Sequence, residues 1–276
     1  MLDAVLLILR EVLEAALILS LLLALSQKLH LQFRWSLIAV TIGTIGSWLL
    51  AHYAYEIADA MDGTGQELLN AALYSVVILS VIALGLFICP LAFKSHLENN
   101  LTQKKIFASP SGKKLIYRLC IVIVSFSLAR EASEIWIYLS AFTHDTEMLS
   151  SALIGSAIGA GIGMSLGAST YYAFTFMQKS YFIPVFLAII TLLAGGLSMQ
   201  IAKQLMQIGW LDSATPLWDS TFLVDEHSWV GELLYALIGY DSRPAPIQGI
   251  FYLLTITPVV SACAWHAWQL RVKTHE

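Results

Sequence analysis

Residues 115–141, LIYRLCIVIVSFSLAREASEIWIYLSA, decide the fold. The run exceeds the roughly 20 apolar residues that carry a helix across a hydrocarbon layer. Yet Arg130, Glu131 and Glu134 lie inside it. Residues 3–27, DAVLLILREVLEAALILSLLLALSQ, repeat the arrangement with Arg10, Glu11 and Glu14. Both copies read Arg-Glu-x-x-Glu. Ionisable groups at mid-membrane cost a few kcal/mol or more and mark function. Two chance copies of one pattern, in two otherwise apolar helices, are not a workable account.

Outward from these stretches the composition agrees. Of 276 residues, 58% are hydrophobic and only 12% charged, with a mean hydropathy of +0.72. An ordinary soluble domain carries about twice that charge, so a cytosolic enzyme, a secreted disulfide scaffold and a disordered chain are excluded. Seven apolar segments follow, at 3–27, 35–56, 68–93, 115–141, 149–176, 182–203 and 248–270. They are continuous rather than alternating, which argues for helices against a barrel. Met1-Leu2-Asp3 lacks the basic start of a cleavable signal, so the first segment reads as a retained span. Cys89, Cys120 and Cys263 lie in apolar runs without paired spacing and read as small buried hydrophobes, with no disulfide or zinc framework. The expected fold is an all-α polytopic membrane protein.

Basic residues set the orientation. Lys28, Arg34, Lys94, Lys104, Lys105, Lys113, Lys114, Arg118, Lys179, Arg271 and Lys273 follow spans one, three, five and seven; only Lys203 and Arg243 lie opposite. The positive side is cytoplasmic, so the N-terminus is expected outside and the C-terminus in the cytoplasm. The outer side gathers Glu56, Asp59, Asp62, Asp145, Asp225, Glu226 and other acids, a surface that concentrates cations. The chain divides into a three-helix repeat at 1–93, a basic loop at 94–114 and a second three-helix repeat at 115–203. An outer amphipathic cap at 204–247 and a seventh helix with its tail at 248–276 complete it. Within the cap, Gly231–Tyr240 reads as a short helix ended by Asp241-Ser242-Arg243-Pro244.

Helical spacing puts Glu11 and Glu14 on one face, with Arg10 one turn before Glu14 to brace it. Glu131, Glu134 and Arg130 repeat this. Each motif centre lies about nine residues, roughly 14 Å, from the outer end of its span, so both reach the midplane. Three spans followed by three of opposite sense make a 3+3 inverted repeat with a midplane site, and Gly43 and Gly46 echo the small-residue run from Gly155 to Gly167. Four carboxylates and two guanidiniums sum to −2, and hard oxygen ligands without Cys or His suit a di- or trivalent hard cation. The competing account is an ion-pair network that only joins spans one and four, although buried pairs seldom improve on apolar packing.

At these motifs the chain resembles the oxidase-dependent iron permease family, whose signature is Arg-Glu-x-x-Glu in the first and fourth of seven membrane helices. Val12-Leu13 and Ala132-Ser133 depart from the Gly-Leu frequent there, at packing positions. The likeness extends through Pro216-Leu217-Trp218-Asp219 and Gly231-Glu232-Leu233-Leu234 to Leu237-Ile238-Gly239-Tyr240-Asp241. It implies a transporter rather than an enzyme: inward movement of iron, Fe²⁺ or Fe³⁺, with Glu11, Glu14, Glu131 and Glu134 as metal ligands and Arg10 and Arg130 bracing them. It implies no permanently bound cofactor, a periplasmic or extracellular iron-oxidising or iron-delivering partner, and a multi-pass place in a bacterial inner membrane. A homo-oligomer is compatible with it. Other classes left open are a less selective divalent-metal or proton-coupled cation transporter and a non-transporting scaffold subunit.

Outer access is assigned to Glu56, Asp59, Asp225 and Glu226, with His52 and His227 nearby; solvated helix ends are the plainer reading of the first pair. His266, between Trp265 and Trp268, reads as a packing residue, and Tyr138 as a hydrogen-bond partner for Glu134. No His-Glu-x-x-His, nucleotide loop or nucleic-acid surface is present.

Overall fold

Runs of Leu, Ile, Val and Ala in lipid have one local solution, the helix, which satisfies its own backbone. The computed structural model describes residues 2–94, 110–143, 145–212, 215–225 and 228–274, and their regular structure is helical throughout. In chain order the helices are α1 Leu2–Lys28, α2 Arg34–His52, α3 Ala54–Asp59, α4 Gly65–Lys94 and α5 Pro110–Ser140. They continue with α6 Thr146–Phe176, α7 Lys179–Gln207, α8 Trp229–Ile238 and α9 Pro246–Thr274. Much of the basic loop, 95–109, lies outside the described residues.

Five of these, α2, α4, α6, α7 and α9, are long and apolar enough to cross a membrane. The two motif helices, α1 and α5, hold 27 and 31 residues. At 1.5 Å per residue each reaches about 40 Å or more, beyond a hydrocarbon layer of about 30 Å. The segment expected at 35–56 is divided. Tyr53, at φ −95° and ψ 14°, leaves the helix, and α3 starts at Ala54. The break falls where aromatic and polar residues replace aliphatic ones, with His52 stacked on Trp48 at 5.4 Å.

Packing follows side-chain size. The principal partners are α1 with α6, α2 with α5 and α4 with α7, while α1 also meets α5, and α9 lies on α4 and α7. On α2 the buried residues are Trp35, Ala39, Gly43 and Ser47, each four after the last; Leu37, Ile45 and Trp48 face outward. Gly155, Gly159, Gly163 and Gly167 form the matching buried stripe on α6. Small residues of this kind let membrane helices approach closely. A Cβ at Gly159 would stand 2.5 Å from the Val5 carbonyl oxygen, so α1 and α6 meet backbone to backbone there. The offset that takes Arg10 to Arg130 and Glu14 to Glu134 also takes Ala39 to Gly159, Gly43 to Gly163 and Ser47 to Gly167.

The segment between α7 and α9 is tied by its own backbone. Leu217 N donates to Pro244 O and Ser220 N to Ser242 O, each at 2.9 Å, and Tyr240 Oη donates to Val224 O at 2.9 Å. Helix α8 begins two residues earlier than the sequence suggests, because Ser228 Oγ caps it by accepting from Gly231 N. It also ends earlier. Gly239 takes φ 69°, and a Cβ there would overlap Gly196 of α7. One pairing has no trace in the sequence: Cys89 Sγ of α4 lies 2.8 Å from Cys263 Sγ of α9, both thiols free.

Candidate functional site

The crossing of α1 and α5 brings the two motifs together. Arg130 is buried, and its guanidinium gathers three carboxylates. Nη1 donates to Glu11 Oε2 at 3.0 Å and to Glu131 Oε2, and Nη2 donates to Glu134 Oε1 at 2.7 Å. Arg10 Nε lies 3.6 Å from Glu14 Oε1 and 3.9 Å from Glu11 Oε1. The arginines are unequal in burial: Arg130, 4% exposed, bridges carboxylates of both helices, whereas Arg10 is 30% exposed. A planar guanidinium suits this role, since its fork meets several carboxylate oxygens at once.

Each guanidinium lies against a tyrosine face. Arg130 stands 4.7 Å from the ring centroid of Tyr74 in α4, and Arg10 4.2 Å from that of Tyr235 in α8. Arg10 Nη2 also donates to Tyr235 Oη at 3.3 Å. Amides serve the carboxylates: Asn70 Nδ2 donates to Glu134 Oε1 at 3.3 Å, and Gln200 Nε2 approaches both oxygens of Glu14 at 3.4 Å. Tyr74 Oη in turn donates to Gln200 Oε1. None of Asn70, Tyr74, Gln200 and Tyr235 stands out in the sequence reading. For Asn70, Tyr74 and Gln200 the signal was polarity inside apolar spans, with Asn70 and Tyr74 one helical turn apart; Tyr235 lies outside the spans, on α8.

Two narrow crevices flank the charges. One, about 20 Å³, is lined by Ile57, Gln66, Asn70, Ser133 and Glu134; the other, about 10 Å³, by Glu14, Leu197, Gln200 and Tyr235. Space of this size admits about one water, so a fully hydrated cation passes neither without helix movement. Glu134 is the most accessible of the four glutamates, its side chain 27% exposed against 2–3% for the others.

The remaining candidates are dispersed. Glu56 and Asp59 lie exposed on α3, which sends Ile57 toward the Glu134 crevice. Asp225 is exposed ahead of α8, while Glu226 and His227 lie outside the described residues. Among the described residues, no three His, Cys, Asp or Glu side chains stand grouped as metal ligands, the motif carboxylates being turned onto arginine. Tyr138 packs edge-on against Phe142 at 5.1 Å rather than bonding Glu134, where Asn70 serves instead.

Against known proteins, the chain is 24% identical over 258 residues to a ferrous iron permease, EfeU, of Yersinia pestis, covering 91% of this chain and 89% of that one. The same identity and length hold for EfeU of Yersinia pseudotuberculosis serotype I, over 91% and 88%. These similarities support an iron permease family of the oxidase-dependent type. The similarity extends over nine-tenths of the chain, and it joins the apolar helices in pointing to a multi-pass membrane transporter rather than an enzyme. No family profile and no solved structure matches the chain.

Proposed function

We propose that this protein carries iron inward across a bacterial inner membrane through a midplane site offered by Glu11, Glu14, Glu131 and Glu134. The observation that carries the reading is the meeting of both Arg-Glu-x-x-Glu motifs around Arg130. Seven spans follow when α1 and α5 cross beside the five apolar helices, and the distribution of Lys and Arg supports an N-terminus outside. The exchange of partners, α1 with α6 and α2 with α5, together with the shared residue offset, supports an inverted repeat.

Iron and Arg130 compete for the same oxygens. Loading requires the guanidinium to yield at least Glu11 or Glu134, and unloading is assisted when it returns. Glu134 is the first ligand reached, through the crevice beneath α3, with Glu56 and Asp59 gathering cations at its mouth. Asp225 and Glu226 serve the cap side, where Tyr235 covers Arg10. The chain relies on an outer partner for any change of iron oxidation state and for delivery.

Uptake of radioactive ferrous iron into sealed proteoliposomes tests this. The native chain accumulates iron, and a correctly inserted Glu14→Gln/Glu134→Gln double variant loses at least nine-tenths of the rate. Equal rates sink the reading. They would favour the ion-pair network instead, which the three direct contacts of Arg130 support. Mn²⁺ and Zn²⁺ at equal concentration leave iron uptake largely intact if the site is selective, and abolish it if the protein is a general divalent-metal carrier.

A further inference from the structure

Two buried side chains outside both motifs join them. Tyr74 of α4 and Gln200 of α7 are both nearly inaccessible: the Tyr74 ring is part of the apolar core, whereas its hydroxyl and the Gln200 amide are polar groups buried within it. Tyr74 presents its ring to Arg130 of α5 and its hydroxyl to Gln200 Oε1. With its oxygen so engaged, the Gln200 amide turns its Nε2 toward the carboxylate of Glu14 on α1. The sequence of contacts runs Arg130, Tyr74, Gln200, Glu14, across four helices.

We propose that Tyr74 and Gln200 are positioning residues that orient Glu14 toward the cation site and tie its geometry to the guanidinium of the other motif. This rests on the glutamate site proposed above. A carboxylate in apolar surroundings needs donors to hold one orientation, and Gln200 is the amide facing Glu14. The amide has two faces, and a flipped Gln200 would aim its oxygen at an anion. Tyr74 prevents the flip, because its hydroxyl hydrogen demands an acceptor at that place. Its ring, set against Arg130, cannot move without disturbing the guanidinium that holds Glu11, Glu131 and Glu134.

Iron uptake kinetics in proteoliposomes test the proposal, with insertion checked by size-exclusion chromatography. Gln200→Met keeps the length of the side chain and removes both polar atoms; it raises the iron KM about tenfold, with the maximal rate within about twofold of native. Tyr74→Phe keeps the ring on Arg130 and raises KM about threefold. In the Gln200→Met background, Tyr74→Phe adds nothing, because the hydroxyl acts only through the amide. A merely structural pair would lower the amount of inserted protein and leave KM alone. A native KM in Gln200→Met, or independent multiplying effects of the two changes, overturns the proposal. If Gln200→Met does not insert, Gln200→Glu replaces it, since it retains an acceptor for Tyr74 and removes the donor to Glu14; the same rise in KM is expected. Native uptake by Glu14→Gln/Glu134→Gln would overturn the glutamate site itself. Loss of uptake there, beside a native KM in the Gln200 variants, overturns only the positioning role.

Discussion

Arg130 binds three carboxylates from two helices, and its removal leaves them facing one another in an apolar interior. Breaking a buried pair by deleting one partner costs about 3–5 kcal/mol, so Arg130→Met is expected to lower the amount of folded protein sharply. Arg130→Lys retains the charge as a point and loses the fork. It should fold better than Arg130→Met, with a melting temperature still below native by size-exclusion thermal challenge. Arg10→Lys is milder on both counts, because the Arg10 side chain is 30% exposed, against 4% for Arg130. If Arg10 and Arg130 variants behaved alike, the asymmetry between the two motifs would have no energetic meaning.

Among the elements, the α1–α6 contact depends on the absence of side chains. Gly159→Leu pushes α6 off Val5 and is expected to destabilise the protein by about 1–3 kcal/mol through overpacking. Gly161→Leu, two residues away, meets open space and should be tolerated. The two thermal midpoints decide the point. In the segment between α7 and α9, hydrogen bonds from Thr221, aided by Arg243 at 2.8 Å, hold the Asp219 carboxyl down at about 2, below its usual 3.8. A carboxyl lowered on folding contributes stability that is full above its unfolded value and lost as pH falls through the folded one. Amide exchange at Thr221, whose N–H donates to Asp219, should therefore stay slow from neutral pH to about 4. It should quicken between about 4 and 2. Asp219→Asn should remove this pH step.

At the scale of the molecule, α9 is fixed by docking on α4 and α7, and its Cys263 meets Cys89. A membrane-permeant thiol oxidant is expected to capture that pair as an intramolecular disulfide visible in peptide mass spectra, with Cys120 left as the thiol. Capture of Cys120 in its place would refute the α4–α9 packing. The proposed topology is open to an equally direct check. Asp212→Cys should react with a membrane-impermeant maleimide on intact cells, and Ser36→Cys only after lysis; the reverse pattern would invert the protein.

The sequence by itself determined the class, the approximate helices and the motif residues, because hydropathy and helical period are local properties that lipid enforces. It also determined that Arg10 and Arg130 each stand one turn from a glutamate, since that spacing lies within one helix. Only the tertiary structure decided that Arg130 reaches across to Glu11, and that Asn70, Tyr74, Gln200 and Tyr235 complete the surroundings of the charges. It also decided that Cys89 faces Cys263 and that α2 stops at His52. These depend on which helices cross and how closely, and that is governed by small-residue stripes such as Gly43 and Gly159, whose partners lie far away in the chain. A single amide in an apolar span reads alone as a tolerated polar residue; it takes on a role only when folding brings a carboxylate within its reach.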